Sequence, residues 1–395
     1  MRHFVAIAET FDVHRRLISE LALTVSESSK ATVMGTIKQA GYVRFPLWLI
    51  FVLFILACAT VHPAHSQNGE EKPPLEQLTL LQLETKIEAG DLGKIRALAA
   101  SQSGETVYRK RFGKGEPGEA VDIKSAGKSI TALAVGAAIA DGALLGTDVK
   151  VWPYLDASRG APFDDITVAD LLSMSSALDC NDWERRSPGQ EEKMYRRRKW
   201  REFALALPDR QYMRDEHGIG SFSYCTAGVF LLGQVVEKAT GETFDAYVQR
   251  RLFDPLNIEG VEWRRSRSGE VQSGGQLTIG DEALIKLGQL VLNRGQWEGE
   301  EIVPEQWLRT MLASSHKLSE HVHYGYLWWM MPLQSSRGFE AAFMMKGNGG
   351  NIVAVIPTMD AVLVVQAESY NKRDADRHSF MALTAMLKSL PVPEE

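Results

Sequence analysis

Three short segments of this 395-residue chain carry side chains able to do chemistry together. The first is Ser125-Ala126-Gly127-Lys128, which opens the run Ser129 to Asp141. A serine hydroxyl is a poor nucleophile until a neighbour takes its proton. A lysine three residues on shares its helix face, about 5–6 Å away between Cβ atoms. The run Ile130 to Ala140 is apolar nearly all round, as a helix buried on every side would be, and Asp141-Gly142 supplies its stop. A lysine at the head of such a helix is costly unless its charge is partnered or used. The pair therefore reads as a nucleophile with its base. The plainer reading is a serine N-cap followed by an exposed lysine. Ser-x-x-Lys recurs at Ser314–Lys317 and Ser369–Lys372, but neither has a buried helix behind it, and both read as solvated surface. The second segment is Phe222-Ser223-Tyr224-Cys225-Thr226-Ala227-Gly228, followed at once by a helix. The third is Lys346-Gly347-Asn348-Gly349-Gly350-Asn351, where three glycines in four residues allow another backbone or a substrate to come close.

In order and context these segments resemble the three motifs of the serine β-lactamase and penicillin-binding-protein superfamily. The likeness is nearest to class C β-lactamases and the related esterases and 6-aminohexanoate-dimer hydrolases. It covers roughly Leu80 to Leu390. Ser125 and Lys128 match Ser-x-x-Lys, Tyr224 matches the tyrosine of Tyr-x-Asn, and Asn348-Gly349-Gly350 stands where the family has Lys-Thr-Gly or His-x-Gly. Thr167 to Ser176 and Gly233 to Gly241 add to the likeness. The resemblance implies a covalent acyl-enzyme without a cofactor or metal. Ser125 would attack a carbonyl, and Lys128 and Tyr224 would share the base and acid work. The backbone N–H groups of Ser125 and Asn351 would form the oxyanion hole, with Asn348, Gly349, Gly350 and Thr226 beside the substrate.

Elementary energetics bears on that division of labour. Tyrosine titrates near 10, so acting as a base near pH 7 needs a shift of about three units, or roughly 4 kcal/mol. A nearby ammonium would favour the phenolate. Two departures from the family pattern matter. Thr226 replaces an asparagine, which weakens one contact to a substrate amide. Asn348 replaces a cation, and an amide holds a carboxylate less well; Lys346 and Arg337 are the candidate substitutes. Both losses favour an ester or neutral amide over a β-lactam. A β-lactamase or D-alanyl-D-alanine carboxypeptidase activity, or a penicillin-binding sensor that acylates without turnover, is the rival reading.

The elements that must position these residues follow from pattern. Leu75 to Ala89 has leucines at helical spacing. Lys94 to Ser101 and Thr106 to Phe112 alternate as strands around a Ser103-Gly104 turn. From Leu144 to about Gly275 the texture is helical. Thr167 opens a helix with a capping box, Asp179 to Arg201 reads as a polar surface excursion, and Ala227–Lys238 and Phe244–Leu252 read as helices. Gly280–Leu292 and Pro304–Leu312 follow as helices, then strands at Tyr324–Trp329, Phe339–Lys346, Ile352–Pro357 and Ala361–Ala367, and a last helix at His378–Leu390. Strands come early and late with helices between. The expected fold is of the α/β (α+β) type: an antiparallel sheet built from both chain ends and flanked by helices, with an all-helical insertion at about residues 144–275.

Composition narrows the class. Apolar content of 45% and charged content of 24% are those of a globular protein, and a net charge of -6 gives no reason to expect a nucleic-acid partner. The basic run Arg196 to Arg201 reads as a solvated face. Phe45 to Val61 is uncharged and preceded by Lys38 and Arg44, and Ala64-His65-Ser66 is a small-x-small pattern. Residues 1–66 thus read as an export segment: a signal cleaved near Ser66, an uncleaved membrane anchor, or a lipidation site at Cys58. Residues 67–79 read as a linker, and residues 80–390 as the hydrolase domain in the periplasm or outside the cell. The two remaining cysteines, Cys180 and Cys225, read as a disulfide or as two buried thiols. His321 and His323 could suggest a metal pair and His217 a pocket residue; surface roles are the simpler reading of each. The Gly-x-Ser-x-Gly elbow of a Ser-His-Asp hydrolase is absent.

Overall fold

The computed structural model describes residues 78–114, 118–211 and 213–393. The expected export segment and all but the end of the linker lie outside them. The described chain opens with helix α1 (Leu80–Glu88). Its cap, Thr79, exchanges hydrogen bonds with Gln82, which satisfies two of the backbone groups a helix start leaves bare. Strands β1 (Ile95–Gln102) and β2 (Glu105–Arg111) form the expected hairpin, with Ser103 and Gly104 at φ 51° and 82°. After β3 (Val121–Asp122) a 3₁₀ turn, Lys124–Gly127, leads directly into α2 (Lys128–Ala140).

The middle of the chain supplies α3 (Trp152–Leu155), α4 (Val168–Leu172), α5 (Glu191–Tyr195), α6 (Trp200–Leu205), α7 (Thr226–Thr240) and α8 (Phe244–Val248). It is not wholly helical. Strands β4 (Glu262–Trp263) and β5 (Leu277–Ile279) pair with β3 in a small three-stranded sheet. The excursion expected at Asp179–Arg201 is also more structured than its polarity suggests, since α5 forms within it. Helix α9 (Asp281–Leu292), the hairpin β6 (Gln296–Trp297) and β7 (Glu300–Glu301), and α10 (Glu305–Met311) complete this part.

The chain then builds β8 (His316–Lys317), β9 (His323–Tyr324), β10 (Trp329–Ser335), β11 (Gly338–Gly347), β12 (Asn351–Ile356) and β13 (Ala361–Ala367), and ends in α11 (Ala375–Ser389). The strand expected at Tyr324–Trp329 is split between β9 and β10, because Leu327 turns the chain at φ 60°. Among the described residues the main sheet has eight strands in the order β2-β1-β13-β12-β11-β10-β9-β8, every pairing antiparallel. Early and late segments of the chain therefore meet within it, as β1 beside β13.

The strand period of two sorts the core. Ile352, Ala354 and Ile356 of β12, with Leu363 and Val365 of β13, face α1 and α11. Val353, Val355, Val362 and Val364 face the opposite way, into the cluster that includes α2, α7 and α9. Helix α2 is the axis of that second layer: every residue from Lys128 to Ala138 is buried. An all-round apolar sequence makes sense only there.

Candidate active site

The 3₁₀ turn places Ser125 half-buried at the foot of α2, and α2 begins with Lys128. Lys128 is 1% exposed. Its Nζ lies 2.8 Å from Ser125 Oγ and 2.7 Å from the Gly274 carbonyl. Burial pushes the Lys128 ammonium below the usual lysine range, against the opposing pull of Glu191 and Asp182. The residue before Ser125, Lys124, sits at φ +54°, a backbone region that costs a non-glycine residue of order 1–3 kcal/mol. The segment before β5 holds it there. Gln276 N–H donates to the Lys124 carbonyl and Ile123 N–H to that of Leu277, at 3.1 and 2.9 Å. Gly275 is required at this contact: its φ is +128°, and a Cβ would lie 2.7 Å from the Lys124 carbonyl oxygen.

Tyr224 ends the loop before α7 and is 7% exposed. Its hydroxyl is near enough to that of Ser125 to be influenced by it, and Lys128 Nζ lies 5.1 Å from its ring centroid. Hydroxyl, amine and phenol thus converge from two segments about a hundred residues apart. Burial raises the Tyr224 hydroxyl above the ordinary tyrosine range, more than the neighbouring Ser125 hydroxyl lowers it, and the charges of Asp182 and Glu191 add to the rise. A phenolate here is disfavoured, which reverses the sequence expectation that the lysine would make one accessible.

The excursion after Cys180 is what fixes Tyr224. Cys180 and Cys225 are disulfide-bonded, with Cα atoms 5.3 Å apart. Asp182 N–H donates to the Tyr224 carbonyl at 2.8 Å, Ser223 N–H to that of Met174 at 2.7 Å, and Ser223 Oγ to that of Cys180 at 2.6 Å. The same excursion brings two carboxylates that no motif announced. Asp182 accepts from the N–H groups of Thr226 at 2.7 Å and Glu191 at 2.9 Å. Glu191 accepts from the Tyr195 hydroxyl at 3.0 Å and from Thr226 Oγ1 at 3.4 Å. Desolvation, then the neighbouring charge of Glu191, pushes the Asp182 carboxyl up to about 6. In the sequence these residues look like any acidic pair in a polar loop; only the disulfide pairing hinted that the loop returns to Tyr224.

The third segment departs from its expected role. Thr226 is fully buried and turned to the two carboxylates, which leaves it no contact with a substrate. Asn348 exchanges two hydrogen bonds with Asn371, at 2.7 and 2.8 Å. Gly349 packs under Tyr370 and Gly350 under Ser379, so both are buried turn residues. Asn351 is 1% exposed on β12, where its amide staples the turn to both backbone groups of Ala367. The residue of this segment that meets the serine turn is Gly347. A Cβ there would lie 1.9 Å from the Ile123 carbonyl oxygen and 3.0 Å from the Ala126 nitrogen. Neither cation substitute is spare. Lys346 is paired with Asp376 at 3.0 Å. Arg337 binds Glu340 at 2.7 Å and the Thr358 carbonyl at 2.8 Å, at the far end of β11, about 30 Å along the strand from Gly347. His217 lies exposed beside Glu216, and His323 is bonded to Ser314 at 3.0 Å.

A mixed α/β fold with a buried lysine on a serine hydroxyl and a tyrosine ring beside them has the features of a serine hydrolase class. The β-lactamase family model matches residues 96–386, and the chain belongs to that family of serine hydrolases. It is 25% identical over 244 residues to a 6-aminohexanoate-dimer hydrolase of Paenarthrobacter ureafaciens, spanning 60% of this chain and 60% of that relative's length. The fold is shared with a penicillin-binding protein from Bacillus halodurans at a TM-score of 0.61 and 21% identity, covering 77% of this chain and 99% of that one. It is shared also with a D-stereospecific amidohydrolase from a Streptomyces species at a TM-score of 0.57 and 18% identity, covering 76% and 97%.

Proposed function

We propose that this chain is an exported serine hydrolase that forms an acyl-enzyme on Ser125 and prefers small esters or neutral amides to β-lactams. The observation that carries the reading is the buried Lys128 amine 2.8 Å from Ser125 Oγ and 5.1 Å from the centroid of the Tyr224 ring. Because burial lowers Lys128 and raises Tyr224, the amine is the base and the phenol the proton donor. Ser125 Oγ bonds to the carbonyl carbon as its proton passes to Lys128. As the tetrahedral intermediate collapses, Tyr224 gives its proton to the departing oxygen or nitrogen and regains one from the Lys128 ammonium. Water then repeats the sequence on the acyl-enzyme. The Ser125 N–H and an N–H of the Gly347–Asn351 turn would hold the oxyanion.

The preference follows from charge. Asn348, Lys346 and Arg337 are all committed elsewhere, and Asp182 and Glu191 repel an anion near the reacting centre. The names of the relatives, a 6-aminohexanoate-dimer hydrolase and an amidohydrolase, support amide chemistry. Export draws support from the Cys180–Cys225 bond, since disulfides persist in oxidising compartments. The test is turnover of a short-chain nitrophenyl ester against a chromogenic cephalosporin, on the wild type and on Ser125→Ala. Faster cephalosporin hydrolysis overturns the preference; ester turnover that survives Ser125→Ala overturns the mechanism.

A further inference from the structure

Trp183 is an apolar ring that the core does not need. It is 62% exposed, in a stretch otherwise made of Asn181, Asp182, Glu184, Arg185 and Arg186. Yet its ring lies parallel to that of Tyr224, with centroids 5.2 Å apart and planes 8° apart. Trp329 and Phe222 stand beside it at 6.4 and 5.8 Å. The backbone under the indole is held on its N-terminal side at each residue. Cys180 is tied to Cys225 by the disulfide, Trp183 N–H donates to Asn181 Oδ1 at 3.0 Å, and Asp182 bonds the backbones of Tyr224 and Thr226. A large ring that is exposed but fixed keeps a flat apolar face in water, where a flat partner gains most by covering it.

We propose that Trp183 is a specificity-determining platform that receives the leaving group of the substrate, and that it selects flat aromatic or otherwise apolar, uncharged leaving groups. The proposal rests on the hydrolase reading above. Tyr224 hands its proton to the leaving oxygen, so whatever is bonded to that oxygen lies next to the Tyr224 ring, and the neighbour of that ring on its exposed side is Trp183. The carboxylates of Asp182 and Glu191 behind Tyr224 disfavour an anionic leaving group, and the cation beside the rings, Lys346 at 5.5 Å from the Trp329 centroid, is already paired with Asp376. No bond to Trp183 forms or breaks; its part is to hold the departing alcohol or amine while the C–O or C–N bond opens.

The experiment compares benzyl acetate with ethyl acetate, whose intrinsic reactivities cancel when each variant is referred to the wild type. Release of acetate is followed for the wild type, Trp183→Ala and Trp183→Phe. The alanine variant should lose roughly tenfold in kcat/KM for benzyl acetate and less than about twofold for ethyl acetate, while phenylalanine keeps most of the benzyl activity. An equal fall for both esters means that Trp183 merely props Tyr224, and no fall for either means that the indole is idle; both overturn the proposal. Binding of benzyl acetate to Ser125→Ala protein, read by saturation-transfer NMR, separates this failure from that of the hydrolase reading. Binding lost on adding Trp183→Ala supports the platform even if neither ester is turned over, and binding that survives it refutes the platform.

Discussion

Replacing Asp182 by asparagine tests whether its carboxylate is held against its own preference beside the Lys128 amine. With the carboxyl raised to about 6 from an ordinary 3.8, the folded state binds its proton more tightly than the unfolded chain does. The stability from that proton is complete below the unfolded value and is lost as pH rises through the folded one, so ionised Asp182 costs the fold about 3 kcal/mol above pH 6. About 2 kcal/mol of this falls between pH 4.5 and pH 7.5. An asparagine carries no such slope. It can still accept one of the two N–H bonds, from Thr226 or Glu191, and losing the other costs about 1–2 kcal/mol at every pH. The assay is urea unfolding of both proteins across that range. The difference, variant minus wild type, should swing by about 2 kcal/mol in favour of the variant as pH rises, which cancels or reverses its deficit at pH 4.5. The groups that face this carboxyl are Glu191 and Lys128, with Thr226 as its donor. Removing a negative charge near Lys128 lowers that amine further, so the acidic limb of kcat/KM should move to lower pH. A flat stability difference, together with an unmoved acidic limb, would falsify the claim that these charges set the state of Lys128.

Three further outcomes check the rest of the site. Tyr224→Phe should cut ester turnover by about 10²–10³-fold but slow fluorophosphonate labelling of Ser125 far less, since fluoride leaves without needing a proton; equal losses would remove the donor role from Tyr224. Breaking the Cys180–Cys225 bond opens a loop of 45 residues, worth up to about 4 kcal/mol by chain entropy, and frees the backbone beside Tyr224. Urea midpoint and kcat should therefore fall together, and unchanged kinetics after confirmed reduction would refute the second half. Gly347→Ala forces β11 away from the serine turn, because the new methyl would sit 1.9 Å from the Ile123 carbonyl oxygen. A loss of at least about 100-fold in kcat is expected, with far-ultraviolet circular dichroism retained; a variant that stays active shows that this approach does not shape the oxyanion site.

Much of this protein is fixed by local pattern. The apolar run after Lys128 could only be a buried helix, and the capping box at Thr167 and the alternation of β12 and β13 are signals carried within a few residues. The Ser125–Lys128 contact was legible for the same reason: three residues of helix put them on one face, whatever the remainder of the chain does. Tyr224 was legible only through its likeness to a motif, since about a hundred residues separate it from Ser125. Tertiary structure alone decided the states of these groups. Whether Lys128 is desolvated depends on Gly274, Asp182 and Glu191 closing around it, and burial rather than sequence neighbours raised Tyr224 instead of lowering it. Beyond its cysteine, the polar loop at 179–201 carried no sign of its partners, because a carboxylate in solvent and one folded against an amine have the same sequence. The third motif shows the same limit from the other side. Its glycines announced a close approach, but which of them makes it, Gly347, was settled by where β11 meets the serine turn.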